Sequence, residues 1–285
     1  PTSWLQPTFN NIISTLTVNF EEFELNKEWI QYLVTYLSDI NKSEIDDSID
    51  ELKSLAVVYQ EDGQYAKLEG NISEHSPVIV KHEDINENIK YLKEIRMNIV
   101  HPDYIEVYQP LLKHKGLITE LSSETLAKHL LTLNDHSFFK NTDTRDFLVD
   151  LLATDVKWYA EFGEDEIEKF SSIPFVQTES DNLYELSTEK KLFLPTDFEP
   201  PRHIKNLDGD YELVNCIDLK HLSMLKEMGI EEQSSINYLK EIIIPFIENT
   251  LEIEDRNNVL KWLSGEWESL TSKLDEFKKN LLITN

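Results

Sequence analysis

The sequence predicts a helix-rich α+β fold, a tandem repeat of helices around a β-hairpin and a small sheet. Three observations lead there. Ser54 to Leu68 lies over Ser172 to Leu186 without a gap, at an offset of 118. Each copy is an apolar run, a short acidic turn and an alternating return, and an internal period of this size marks tandem structural units. The stretches between carry apolar residues at helical spacing. Glycine is scarce, 7 in 285, which disfavours an all-β fold full of tight turns.

The elements follow in order. Phe20 to Ser38 spaces Trp29, Ile30, Leu33, Val34 and Leu37 as one helical face, and Ser43 to Lys53 reads as a second helix. Leu55 to Gln60 is a buried strand, Asp62-Gly63 a two-residue hairpin signal, and Tyr65 to Leu68 the return. Pro77 to Val80 is a short strand and Ile85 to Ile95 a helix. Asp103 to Lys115 is a helix kinked at Pro110, which lacks an amide donor. Ser123 to Leu133 is a further helix. Thr142 to Tyr159 opens the second copy as one helix, followed by a short helix at Asp165 to Phe170. The second hairpin pairs Ile173 to Gln177 with Leu183 to Leu186. Leu192 to Leu194 echoes the Val78 strand, Pro195 to Gly209 is a loop, and Tyr211 to Asn215 is a strand. Asp218 is placed to cap a helix that Gly229 ends at Met228. Glu232 to Thr250 is a long helix, and Asp255 to Lys279 a closing helix pair.

The repeat extends past the hairpins. Leu92 to Met97 lies over Leu225 to Ile230 at an offset of 133, and Tyr108 to Leu112 over Ile243 to Ile247 at 135, with Pro110 over Pro245. This alignment gives the second copy about 15 extra residues between Ser187 and Cys216. Leu281-Leu282-Ile283 resembles a third opening. The expected organisation is a first unit over 1–140, a second over 141–253 and the start of a third over 254–285. The chain begins without Met and stops inside a strand-like run, so a segment of a longer protein is expected.

Composition narrows the function. Forty per cent apolar residues suffice for cores, and the 28% charged residues do not make this a disordered composition. Acidic residues outnumber basic ones 54 to 27, for a net charge of −27. Such a surface repels phosphate backbones and anionic headgroups, so neither nucleic acid nor membrane is expected as a partner. It is self-repelling, and it also suits a basic protein partner. A lone cysteine, Cys216, suits a reducing cytoplasm. No run of 18 apolar residues occurs.

No recognised catalytic motif emerges. The eight histidines are His75, His82, His101, His114, His129, His136, His203 and His221, and none falls in a zinc-binding pattern. His129 and His136 could share a side near a helix end, with solvated rings the expected outcome. Phosphate-binding glycine loops are missing, and Asp208-Gly209-Asp210 lacks the alternating oxygens of a calcium loop. Cys216 sits in an apolar strand pattern, as inert buried thiols do. Glu161, Glu164, Asp165, Glu166 and Glu168 read as a solvated helix start, where acids favour the dipole. Glu61 and Glu179 recur at strand ends as turn residues. No catalytic, cofactor-binding or metal-binding residue is therefore assigned, and no cofactor is expected.

At the hairpins the chain resembles a known family. Ile173-Pro174-Phe175-Val176-Gln177-Thr178-Glu179, with the return Leu183-Tyr184-Glu185-Leu186, is similar to a hairpin stretch of sacsin-like giant repeat proteins. Leu55 to Gly63 is a looser version. Val100-His101-Pro102 and Met228-Gly229-Ile230 resemble segments that follow that hairpin. In that family a GHKL-type ATPase module precedes helix-rich repeat regions with chaperone-related roles. The ATPase motifs are missing from this sequence, so the resemblance implies the non-catalytic repeat region. The expected function is an interaction or scaffold segment, binding protein partners or other domains of the same chain. The alternatives are a regulatory segment of an ATPase-containing bacterial defence protein and a divergent acidic metal-dependent hydrolase.

Overall fold

The computed structural model describes residues 26–39, 57–60, 63–66, 78–80, 85–113, 118–198, 211–215, 218–245, 254, 257–268 and 270–271. Helices dominate, with short strands between them, so the fold is α+β as expected. The expected helix at Ser43 to Lys53, the loop around Asp208-Gly209, Cys216 and the expected third hairpin lie outside the described residues. The chain divides into two compact units, Pro1–Trp158 and Tyr159–Asn285.

In the first unit α1 (Lys27–Asp39) starts where Asn26 accepts the Trp29 amide through its side chain, at 2.9 Å. Its apolar face places Ile30, Leu33 and Val34 in a core shared with Val57, Val58, Ile79, Val100, Tyr108 and Ile118. Trp29, expected inside, is only partly buried against it. The hairpin β1 (Val58–Tyr59) and β2 (Tyr65–Ala66) is followed by β3 (Val78–Ile79) and α2 (Ile85–Glu94). Residues 98–101 then run between β1 and β3, bridging Gln60 with Val100 antiparallel and Val78 with Ile99 parallel. The expected kinked helix around Pro110 is instead a 3-10 turn at Pro102–Tyr104, the short α3 (Ile105–Tyr108), and a 3-10 turn at Gln109–Lys113. Pro110 cannot donate an amide there, and the tighter turn absorbs the loss. Strand β4 (Thr119–Glu120) pairs parallel with β3. Ser122 caps α4 (Ser123–Thr132) by accepting the Thr125 amide. The helix expected over Thr142 to Tyr159 is broken: α5 (Thr142–Leu152) ends, and α6 (Lys157–Glu161) begins anew across the unit boundary. Asp155 causes the break, because its amide donates to Ser123 Oγ while its carboxylate caps the Lys157 amide.

In the second unit α7 (Glu164–Ser171) carries three acids in its first turn, and Glu166 reaches back to the Gly163 amide. The hairpin β5 (Val176–Gln177) and β6 (Leu183–Tyr184) leads to β7 (Lys191–Leu194) and β8 (Tyr211–Leu213). Asp218 caps α8 (Leu219–Glu227), and Gly229 ends it at φ 89°. Strand β9 (Glu231–Glu232) then takes Glu232, the expected first residue of the long helix, which begins instead at Ser235 as α9 (Ser235–Tyr238). The core joins Phe193, Tyr238, Ile242, Ile243 and Val259.

Each unit repeats the same order of paired strands. In the first, the pairs β2-β1 and β3-β4 are linked by single bridges through residues 99–100; in the second, β6-β5 and the three-stranded β8-β7-β9 are linked by the Thr178–Val214 bridge. At an offset of 118 the hairpins agree in register: Val58 pairs with Ala66 as Val176 does with Tyr184, and Tyr59 with Tyr65 as Gln177 does with Leu183. Downstream, Val78 corresponds to Phe193, Val100 to Val214, Thr119 to Glu231 and the capping Ser122 to Ser234. Those offsets are 115, 114, 112 and 112. The second unit is therefore slightly shorter after its hairpin, not longer.

The 133-residue match needs correcting accordingly. Arg96 and Gly229 do end α2 and α8 with the same left-handed cap, and Met97 and Ile230 donate back to Leu92 and Leu225 at 3.0 Å. Yet α2 leads into the strand beside β1, whereas α8 leads into the edge strand β9. Two helices share one cap chemistry without occupying one place in the repeat. Likewise Pro110 and Pro245 do not correspond. Pro245 follows a π turn at Leu239–Ile243, where its ring would crowd the Glu241 carbonyl in a regular helix.

Candidate functional site

Helices α2 and α4 both end at one cleft of about 710 Å³ in the first unit. Glu94, Arg96, Asn98, His129, Asp135 and Phe138 are among its walls. The left-handed cap at Arg96 (φ 56°) turns the chain from α2 into its strand and leaves the Arg96 side chain exposed on the rim. Leu133 ends α4, and the following turn presents Asp135 and Phe138.

Both histidines at this corner are structural. His129 is 8% exposed, and its Nε2 lies 2.7 Å from the Ile95 carbonyl. His136 Nε2 lies 3.0 Å from the Leu130 carbonyl. A carbonyl can only accept, so each ring carries its proton on Nε2 and caps a carbonyl at the C-terminal end of a helix. Each ring serves a different helix end, His129 that of α2 and His136 that of α4.

The acids are held in place as well. Asp135 accepts from the Ser137 amide at 2.9 Å and from its hydroxyl at 3.0 Å. Those bonds hold its carboxyl below the usual carboxylate range, aided by His136 and Arg96. Glu94 accepts from Thr144 Oγ1 at 2.5 Å. Arg96 makes no ion pair with either acid. The sequence singles out His129 and His136 at this helix end, but not Glu94, Arg96 or Asp135. The signal it carried was a carboxylate, Glu94, at the end of one helix and another, Asp135, just past the next, where cations are the favoured residues.

The remaining sequence candidates fall elsewhere. His101 Nδ1 accepts the Asp103 amide at 3.2 Å, and its ring packs on Tyr59. His221 is buried near the start of α8. Glu179 and the acids of α7 are largely solvated, as turn and helix-start residues should be. His75, His82, His114, His203 and Glu61 lie outside the described residues. In the second unit Glu212 gathers Lys190 (2.8 Å), Ser180 (2.7 Å) and Tyr184 (3.3 Å), tying the hairpin to β8.

Among the described residues no helix is long and apolar enough to cross a membrane. No family model, curated protein or solved structure matches the chain.

Proposed function

We propose that this chain is a non-catalytic interaction or scaffold segment that binds protein partners or other domains of its own chain in the cytoplasm. One observation carries the reading: the same order of paired strands and linking bridges is built twice, in matching register, while the polar side chains on it change. Glu212, which pairs with Lys190 in the second unit, corresponds in the ladder to Asn98 in the first. Retention of backbone geometry with free exchange of polar groups suits a structural module better than an active centre, whose chemistry depends on particular side chains. The groups a catalyst would draw on in the cleft, His129, Glu94 and Asp135, already serve as caps and ties. The likeness of the Ile173 to Leu186 hairpin to sacsin-like repeat regions favours the same reading.

Isothermal titration calorimetry with ATP and Mg²⁺, and a low-salt duplex-DNA binding assay, test this. No heat and no shift are expected. Saturable ATP binding at micromolar affinity would overturn the proposal.

A further inference from the structure

We infer that the cleft at the ends of α2 and α4 is a docking site for a basic peptide segment, taking a Lys or Arg side chain of a partner protein. This rests on the interaction reading above and names the partner's chemistry.

Three features converge. The first is the fixed field. Each helix directs the negative end of its dipole into the cleft, equivalent to about half an elementary charge. The second is the placement of acids. Carboxylates at a helix C-terminal end oppose that dipole, and Glu94 and Asp135 are both exposed there. Thr144 and Ser137 fix their positions but bring no compensating charge. Arg96 is the Lys or Arg side chain among the lining residues; its charge helps hold Asp135 ionised without a close ion pair to either acid. The third is the chemistry of the wall. Phe138 and Leu133 offer apolar surface beside the acids. A Lys or Arg stem can cover such surface while its charged head reaches a carboxylate, and a guanidinium can also lie over the ring. The net charge of −27 adds long-range attraction for a basic partner.

Arg96 sets the direction of the test. If a cation binds, Arg96 competes with it; if an anion binds, Arg96 recruits it. The probe is the peptide acetyl-Ala-Arg-Ala-Lys-Ala-amide, followed by ¹H–¹⁵N shift mapping on the full chain, with the Gln-for-Arg and Gln-for-Lys peptide as control. Shifts should cluster at residues 94–98 and 129–138. Glu94→Gln and Asp135→Asn should each weaken binding about threefold or more, and Arg96→Gln should tighten it. Glu94→Gln keeps an acceptor for Thr144, so it remains informative if Asp135→Asn disturbs the turn. Glu168→Gln on α7, an exposed acid remote in sequence, should leave binding unchanged. The proposal is overturned by absent or diffuse shifts, by an equal loss in Glu168→Gln, or by weaker binding in Arg96→Gln. Those outcomes would leave the scaffold reading standing, whereas ATP binding would remove that reading without touching the peptide data.

Discussion

Gly63 and Asp181, 118 residues apart, hold the same left-handed turn position, at φ 82° and 60°. Each amide donates at 3.0 Å to the carbonyl three residues back, that of Gln60 or Thr178. The same turn is thus made once with the residue that adopts this conformation freely and once with a residue that tolerates it.

That pair gives the first prediction. A Cβ at Gly63 would meet only Tyr59 Oη, at 3.8 Å, so backbone conformation and not space limits substitution. Gly63→Val and Asp181→Val should each lower stability by about 1–2 kcal/mol, read from urea midpoints. Asp181→Gly should stay within about 0.5 kcal/mol, since relief of the backbone offsets loss of the 3.1 Å bond from Gln177 Nε2. A neutral Gly63→Val would contradict the turn.

Tyr108 closes the first hairpin from inside. Its hydroxyl accepts the Tyr59 amide at 2.9 Å and donates to the Val57 carbonyl at 2.7 Å. Tyr108→Phe strands both buried backbone groups and should cost about 1–3 kcal/mol. Burial pushes the phenol well above its ordinary value of 10.0, against the opposing Tyr59 amide. The folded state therefore keeps this proton where the unfolded chain loses it. Stability should be full below pH 10 and fall above it. Tyr108→Phe should flatten that alkaline limb in pH-dependent urea melts, leaving the smaller part from Tyr65 and Tyr104, whose hydroxyls are raised by burial too.

Phe175 is 3% exposed and packs on Phe170 with ring centroids 5.4 Å apart. Phe175→Ala should cost about 3–5 kcal/mol. Trp267, 60% exposed, is the contrast: its replacement by Ala should change stability by about 0.5 kcal/mol or less. Equal melting temperatures for the two variants would contradict the core.

Glu212 supplies an acid-side test. The Lys190 ammonium and then the Ser180 hydroxyl hold its carboxyl below the ordinary 4.5. A depressed value contributes stability above pH 4.5 that is lost as pH falls through the folded value. Glu212→Gln should remove that part of the acid slope. At neutral pH, with solvent screening the pair, it should cost about 1 kcal/mol. An unchanged acid limb would show that the network carries no linkage.

Local signals in the sequence determined much of this chain. The hairpins, the Asp218 cap, the Gly229 stop and the apolar faces of α1, α2 and α4 each depend on a few neighbouring residues, and each was legible. Periodicity could not foresee the break after α5, because it depends on Ser123 receiving the amide of Asp155 from 32 residues away. Nor could it place β9, whose residues Glu231 and Glu232 are both exposed acids with no strand signature and are held by pairing with β7.

Only the tertiary structure decided how the two copies correspond. Leu92 to Met97 and Leu225 to Ile230 match because both must end a helix in a left-handed cap, a requirement fixed within one turn. Which strand each helix feeds is set by hydrogen bonding to β3 or β7, and that pairing leaves no trace at the cap. The cleft follows the same rule. Glu94 and Asp135 are ordinary acids in a chain rich in them until two helix ends, distant in sequence, bring them to one corner.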